Sequence, residues 1–331
     1  MTIEFLLLLA SALTGWGGAS LAARYGQSVG FIDYPNERSS HASPTPRGGG
    51  IGIFAVFLLT SLANGVSTGF WLPVGAMSVF ALGSDRFNLS PEIRLCIQLL
   101  LMAILVTAVN RLPSTDIWHL PWILFWAVFI VGTANFFNFM DGINGIAGVT
   151  GFVGFTLLAF YIYWIEGQSI VYCSLSLCIA CSCLGFLPLN MPKAKVFMGD
   201  VGSILLGGLF AGIVYMSART ALDFLCMASF LFPFYADELT TMAVRVKNGE
   251  NLTQPHRKHI YQLLANEKGM PHWQISVTFG LFQLFVGISV ILMKPFGCIA
   301  VLSLLAVCFT VFTLGAWRLR VRIGSHAPMV S

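Results

Sequence analysis

The chain has 331 residues, 56% of them hydrophobic and only 10% charged, with a mean hydropathy of +0.80. A soluble domain carries roughly 25% charged residues, so this composition excludes a soluble globular protein. The formal net charge of +4 comes from 18 Lys and Arg against 14 acids scattered between apolar runs, and no nucleic-acid partner is expected.

Runs long enough to cross a hydrocarbon core of roughly 30 Å follow one another along the chain. They predict an all-α fold, a polytopic transmembrane helical bundle with eleven spans near 3–23, 48–66, 71–83, 94–110, 121–137, 145–164, 169–189, 202–218, 223–244, 273–293 and 296–317. The count is ten if the short segment 71–83 does not cross. Residues 1–331 read as a single integral-membrane domain with no stretch left over for a soluble one. Glu4 precedes the first Leu run and no Lys or Arg does; a secretory signal wants a basic start, so an uncleaved first helix is expected.

Charge orients the chain. Arg24, Arg38 and Arg47, then Arg86 and Arg94, then Lys193 and Lys195, then the bases of the loop after the ninth span, then Arg318, Arg320 and Arg322 all fall in alternate connections. Only Arg111, Arg219 and Lys294 lie on the other side. The positive-inside rule places the N-terminus outside, the C-terminus in the cytoplasm, and the loops 24–47, 84–93, 138–144, 190–201 and 245–272 on the cytoplasmic face. Trp71, Trp118, Trp122 and Trp164 fall at the outer interface, as an aromatic belt does. Ten of the 14 acids also lie on the cytoplasmic side. Positive-inside bias accounts for the bases and not for the acids, so the cytosolic face is the working face.

Five stretches carry that face. Ser39 to Gly50, with His41, Arg47 and three closing glycines, runs into the second span. Its glycines allow close backbone approach and its N–H groups at a helix start can hold an anion; a Pro/Gly turn is the plainer reading. Asp85 lies in Gly83-Ser84-Asp85-Arg86-Phe87-Asn88-Leu89-Ser90-Pro91. Asn135, Asn138 and Asp141 are spaced along one helical face at the end of an apolar span, with Asn144 as a candidate N-cap beyond. Intramembrane polar stripes are costly and mark sites. Asp200 opens another glycine-flanked helix start, where it also complements the helix dipole. Two carboxylates at separate helix ends suit Mg²⁺, which takes one or two carboxylates plus phosphate oxygens. Last, Gln254 to Gln262 holds His256, Arg257, Lys258 and His259, a cluster suited to phosphate and also to anionic lipid headgroups.

Cys173, Cys178, Cys181 and Cys183 lie in an apolar span without His or acidic partners, and read as buried thiols. Gly208-x-x-x-Gly212 reads as helix packing.

Asn138-x-x-Asp141-Gly142-x-x-Gly145 and Phe197-Met198-Gly199-Asp200-x-Gly202-Ser203 resemble the motifs of the polyprenyl-phosphate N-acetylhexosamine-1-phosphate transferases, of glycosyltransferase family 4 type. Asp33-x-Pro35, Pro44-Thr45-Pro46-Arg47-Gly48-Gly49 and His256-Arg257-x-His259 followed by Tyr261-Gln262 resemble the branch that begins O-antigen or capsule chains. The resemblance implies transfer of an N-acetylaminosugar 1-phosphate from a UDP-sugar to undecaprenyl phosphate, with release of UMP, in the bacterial inner membrane. It implies Asp200 as the Mg²⁺ ligand (Mn²⁺ as the alternative ion), Asp141 beside the diphosphate, and Asn190 and Phe197 holding and stacking on the uracil. It implies His256, Arg257 and His259 over the sugar-nucleotide phosphates, with Asn138, Asn144, His41 and Arg47 as further substrate contacts. Two positions depart from the family pattern. Ser84 stands where the first Asp of a pair is usual, leaving Asp85 as the catalytic acid of that region, and Asn144 stands where many members have Asp. A lipid phosphate is mostly dianionic at pH 7, so a dedicated base is dispensable. Membrane lipids and a second copy of the chain are the other expected partners. The competing readings are a secondary transporter, which would hold its polar groups near the midplane, and a catalytically impaired UDP-sugar-binding relative.

Overall fold

A computed structural model describes residues 2–35, 40, 43–86, 89–109, 118–167, 169–252, 254 and 256–324. After α1 (Thr2–Tyr25), the two-residue strands β1 (Ile32–Asp33) and β2 (Thr45–Pro46) pair antiparallel, Ile32 opposite Pro46 and Asp33 opposite Thr45. These are the only strands among the described residues. There follow α2 (Ile51–Ala63), α3 (Thr68–Arg86), α4 (Pro91–Ala108), α5 (His119–Phe139), α6 (Ile146–Phe160) with a π-helical extension (Tyr161–Ile165), α7 (Ile170–Asn190) and α8 (Asp200–Ser217). The chain ends with α9 (Ala221–Ala228), α10 (Phe232–Lys247), the short α11 (Ile260–Asn266), α12 (His272–Met293) and α13 (Cys298–Gly324).

Among the described residues, eight helices are long and apolar enough to cross a membrane: α1, α4, α5, α6 with its extension, α7, α8, α12 and α13. The protein is therefore a nearly all-helical, multi-pass membrane protein. The expected spans at 48–66 and 71–83 form the shorter apolar helices Ile51–Ala63 and Thr68–Ser84. The expected span at 223–244 is broken by a 3₁₀ turn, Ser229–Leu231, just ahead of Pro233, whose ring and missing N–H favour a helix start over a helix interior. Local sequence sets the ends elsewhere. Ser90 accepts from the Ile93 N–H at 3.5 Å with Pro91 at the first helical position of α4, and Thr220 and Asp223 form a reciprocal capping box at α9.

α8 is the axis of the bundle. It is apolar on every side, every residue from Val201 to Tyr215 is buried, and it packs against α5 and α3. Small residues make this possible. A Cβ on Gly207 would lie 2.6 Å from the Thr133 carbonyl oxygen on α5; one on Gly208 would overlap Met77 and one on Gly212 would lie 3.0 Å from Phe70, both on α3, so the Gly208-x-x-x-Gly212 stripe packs helices as expected. At the periphery α13 keeps Ile299 81% and Trp317 61% exposed, a surface made for lipid rather than water. Cys178 and Cys183 are buried free thiols, with Cys173 and Cys181 half-buried.

Candidate active site

Two pieces of the chain remote in sequence are joined by backbone. The Phe197 N–H donates to the Pro46 carbonyl at 2.8 Å, the Gly49 N–H to Phe197 at 2.9 Å, and the Gly50 N–H to Met198 at 2.9 Å. This zipper lays the Pro44–Gly50 segment along the Phe197–Asp200 segment at the start of α8. It also overturns one expectation: the N–H groups of Gly49 and Gly50 serve this pairing and are not offered to an anion. Gly199, the residue before α8, has φ +71, a left-handed conformation that glycine adopts without strain, and it turns the chain into Asp200.

The end of α5 meets that start. Asn138 Nδ2 donates to Asp200 Oδ1 at 3.0 Å and to Ser203 Oγ at 2.8 Å. Asn135, expected on the same polar stripe, turns away: its Nδ2 donates to Gln98 Oε1 on α4 at 2.7 Å and to the Val131 carbonyl at 2.8 Å. Asn190 is 5% exposed and braces two loops, accepting from the Gly145 N–H at 2.6 Å and donating to the Val196 carbonyl at 2.9 Å.

These residues enclose a cavity of about 260 Å³, lined by Asp33, Ser40, Arg47, Asn138, Asp141, Gly142, Ile143, Asn144, Asn190, Phe197, Gly199, Asp200, Gln262 and His272. A second cavity of about 360 Å³, reaching Val29, Phe31 and Leu82, shares Arg47, Gly199 and Asp200 with it. Arg47, Asn138, Asp141, Asn144, Asn190, Phe197 and Asp200 are thus brought together as expected. His41 lies outside the described residues, as does the Asp85 side chain, although the Asp85 backbone continues α3. Ser84 is 2% exposed and donates to the Ala81 carbonyl of its own helix at 2.9 Å.

The basic loop is placed differently. His256 and His259 line a separate cavity of about 290 Å³ with Phe139, Glu238 and Arg245. His259 is 2% exposed and sits between Asp237 Oδ1 at 3.6 Å and Glu238 Oε2 at 3.4 Å. Arg257 does not line the Asp200 cavity. Arg245 ties the loop down through the Leu252 and Gln254 carbonyls at 3.2 and 2.9 Å, and Lys258 pairs with Glu250.

Gln262, quoted in the sequence only as the end of the basic-loop motif, lines the main cavity, and so does His272, which the sequence pattern did not single out. The Asn144 N–H donates to His272 Nδ1 at 3.3 Å, and Ser276 Oγ donates to the Asn144 carbonyl at 2.9 Å. The available signal was a histidine directly after Pro271, at a helix start on the charged face.

Burial, then the neighbouring Asp200 charge, pushes the Asp141 carboxyl well above the usual carboxylate range. Two carboxylates that oppose each other this way are a place where a cation is stabilising. Among the described residues no three His, Cys, Asp or Glu side chains converge on one point. The donors are oxygens, and they fit a hard ion that completes its shell from substrate phosphate and water rather than a closed protein cage. In the loop, burial and then the nearby His259 lower His256 to about 4.

Residues 67–218 match glycosyl transferase family 4, a stretch that contains Asn138, Asp141, Asn144, Asn190, Phe197 and Asp200. The chain is 28% identical to a probable undecaprenyl-phosphate N-acetylglucosaminyl 1-phosphate transferase of Bacillus subtilis, over 83% of this chain and 80% of that one. It is 28% identical to an undecaprenyl-phosphate alpha-N-acetylglucosaminyl 1-phosphate transferase of Thermotoga maritima, over 82% of this chain and 85% of that one. A shorter similarity, 33% over 32% of this chain and 34% of the relative, reaches a phospho-N-acetylmuramoyl-pentapeptide-transferase of Staphylococcus saprophyticus. The family resemblance read from the motifs is borne out.

Proposed function

We propose, from the match to glycosyl transferase family 4 as premise, that this protein transfers an N-acetylaminosugar 1-phosphate from a UDP-sugar to undecaprenyl phosphate, releasing UMP. The step is expected to begin a lipid-linked glycan of the O-antigen or capsule type at the cytoplasmic face of the inner membrane. The observation that carries this reading is the Asn138–Asp200 hydrogen bond. It joins the ends of two apolar helices at a polar cavity that also holds Asp141, Arg47 and Phe197.

In the proposed reaction an oxygen of the lipid phosphate forms a bond to the β-phosphorus of the UDP-sugar. The bond from that phosphorus to the bridging oxygen breaks, and the electron pair leaves with UMP. No proton need be removed from a phosphate that is already mostly dianionic, so the protein contributes position and charge. Asp200 is the expected Mg²⁺ ligand, oriented by Asn138, with Asp141 beside it; the chemistry that Mg²⁺ supplies there is neutralisation of the diphosphate. Phe197 offers a ring to the uracil and Arg47 a guanidinium fork to phosphate. Asn144 Nδ2 donates to the Pro192 carbonyl at 3.3 Å, which leaves its Oδ1 to accept from the nucleoside. Eleven crossings, with the N-terminus outside and the C-terminus inside, complete the proposal.

A UDP-sugar labelled in its β-phosphate tests the reaction type. Label recovered in the lipid extract together with UMP supports sugar-phosphate transfer. Unlabelled glycolipid together with labelled UDP would mean transfer of the sugar alone and would refute it.

A further inference from the structure

The Tyr261–Gln262 pair follows the basic loop and takes no part in the transfer as proposed. Its surroundings give it one. Asp237, fully buried on α10, accepts the Ile260 N–H at 2.8 Å and the Tyr261 N–H at 3.3 Å, and so holds the first turn of α11. Tyr261 is itself fully buried, and its ring lies nearly parallel to that of His259, 14° apart with centroids at 5.6 Å. From this anchored base the Tyr261 hydroxyl donates to the Phe139 carbonyl at 2.9 Å. Phe139 is the last residue of α5, where helix carbonyls lack partners of their own, and it lies two residues before Asp141. On the far side of Asp141, a Cβ on Gly142 would overlap the same hydroxyl and lie 3.0 Å from the Tyr261 ring carbons Cε2 and Cζ. Tyr261 therefore meets the backbone on both sides of Asp141, at Phe139 and at Gly142, and in the chain it lies between His259, which lines the cavity of the basic loop, and Gln262, which lines the cavity of Asp200.

We propose that Tyr261 is a positioning residue for the transfer: carried on Asp237, it fixes the Asp141–Gly142 turn, so that the basic loop and the Asp141 carboxylate move as one piece. The role rests on the transferase reading above. It also gives a physical account of Gly142, the position where Tyr261 leaves no room for a side chain.

The test uses the full-length protein in detergent, with undecaprenyl phosphate, Mg²⁺ and a panel of UDP-N-acetylaminosugars, as wild type, Tyr261→Phe, Gly142→Ala and the double variant. UMP release and melting temperature are read for each. Losing the hydroxyl should lower kcat roughly tenfold while the UDP-sugar KM moves less than about twofold. Gly142→Ala should be more impaired. The double variant should recover part of that loss, because removing the hydroxyl opens space for the added methyl. An active wild type with Tyr261→Phe at full kcat, or with losses that simply add, overturns the positioning role and leaves the transferase reading standing. A lower melting temperature for Tyr261→Phe with kcat unchanged per folded molecule also overturns it, by reducing the tyrosine to a structural part. A wild type that releases no UMP refutes the transferase reading and the positioning role together.

Discussion

Asn138 gives its amide hydrogens to Asp200 Oδ1 and Ser203 Oγ, and in doing so sets where a carboxylate can meet a ligand. A hydrogen bond to a charged group contributes about 1.5–3 kcal/mol, and each 1.36 kcal/mol is tenfold in rate. Asn138→Ala should therefore lower UMP release by about 10- to 150-fold, checked by steady-state kinetics, with a near-normal rate refuting the orienting role. Asp200→Asn keeps the shape and removes the charge. It should reduce turnover to below about one-hundredth while the melting temperature holds or rises, because the Asp141 carboxyl then loses its like-charged neighbour. His256 titrates near 4 in the folded protein against about 6.5 in an unfolded chain. Its folded pKa is depressed, so protonation favours the unfolded chain. The associated stability is complete above about pH 6.5 and is lost as pH falls toward 4. The melting temperature of His256→Asn should thus decline less between pH 7 and 5 than that of the wild type; parallel declines would contradict the half-buried, neutral histidine.

At the scale of elements, the approach of α5 to α8 is what brings Asn138 to Asp200. Gly207→Ala would place a methyl 2.6 Å from the Thr133 carbonyl oxygen and 2.7 Å from Ala134 Cα, backbone atoms that cannot swing aside. Overpacking of this kind costs about 1–3 kcal/mol, and both the melting temperature and UMP release should fall. Gly75→Ala meets only ordinary contacts of 3.6 Å and beyond and should leave both unchanged. Melting curves in detergent separate the two; equal effects would refute the packing account. The long apolar runs of α1, α5, α7, α12 and α13 were legible in the sequence because twenty consecutive apolar residues have few alternatives in lipid. The break ahead of Pro233 was not, since the residues around it are apolar enough to read as one span. Asp141, Asp200 and Asn138 were legible as a site because carboxylates and amides at apolar helix ends are expensive. The zipper between 46–50 and 197–198, the turn of Asn135 toward Gln98 and the inward pairing of His259 were not legible. Each depends on a partner tens of residues or more away, or on which side of a short helix faces the core, and neither leaves a periodic trace.

For the molecule as a whole, the polar cavities containing Asp200 and His256 gather at helix ends, while helices such as α13 present exposed apolar surface suited to lipid. That arrangement suits an enzyme whose one substrate is dissolved in water and whose other is dissolved in the bilayer. The most direct measurement is UMP release by the purified protein from UDP-N-acetylaminosugars, with undecaprenyl phosphate and Mg²⁺ each omitted in turn. The account predicts release only when lipid phosphate and divalent ion are both present, and its loss on chelation and in Asp200→Asn. Release that continues without lipid phosphate, or full activity of Asp200→Asn, would contradict it.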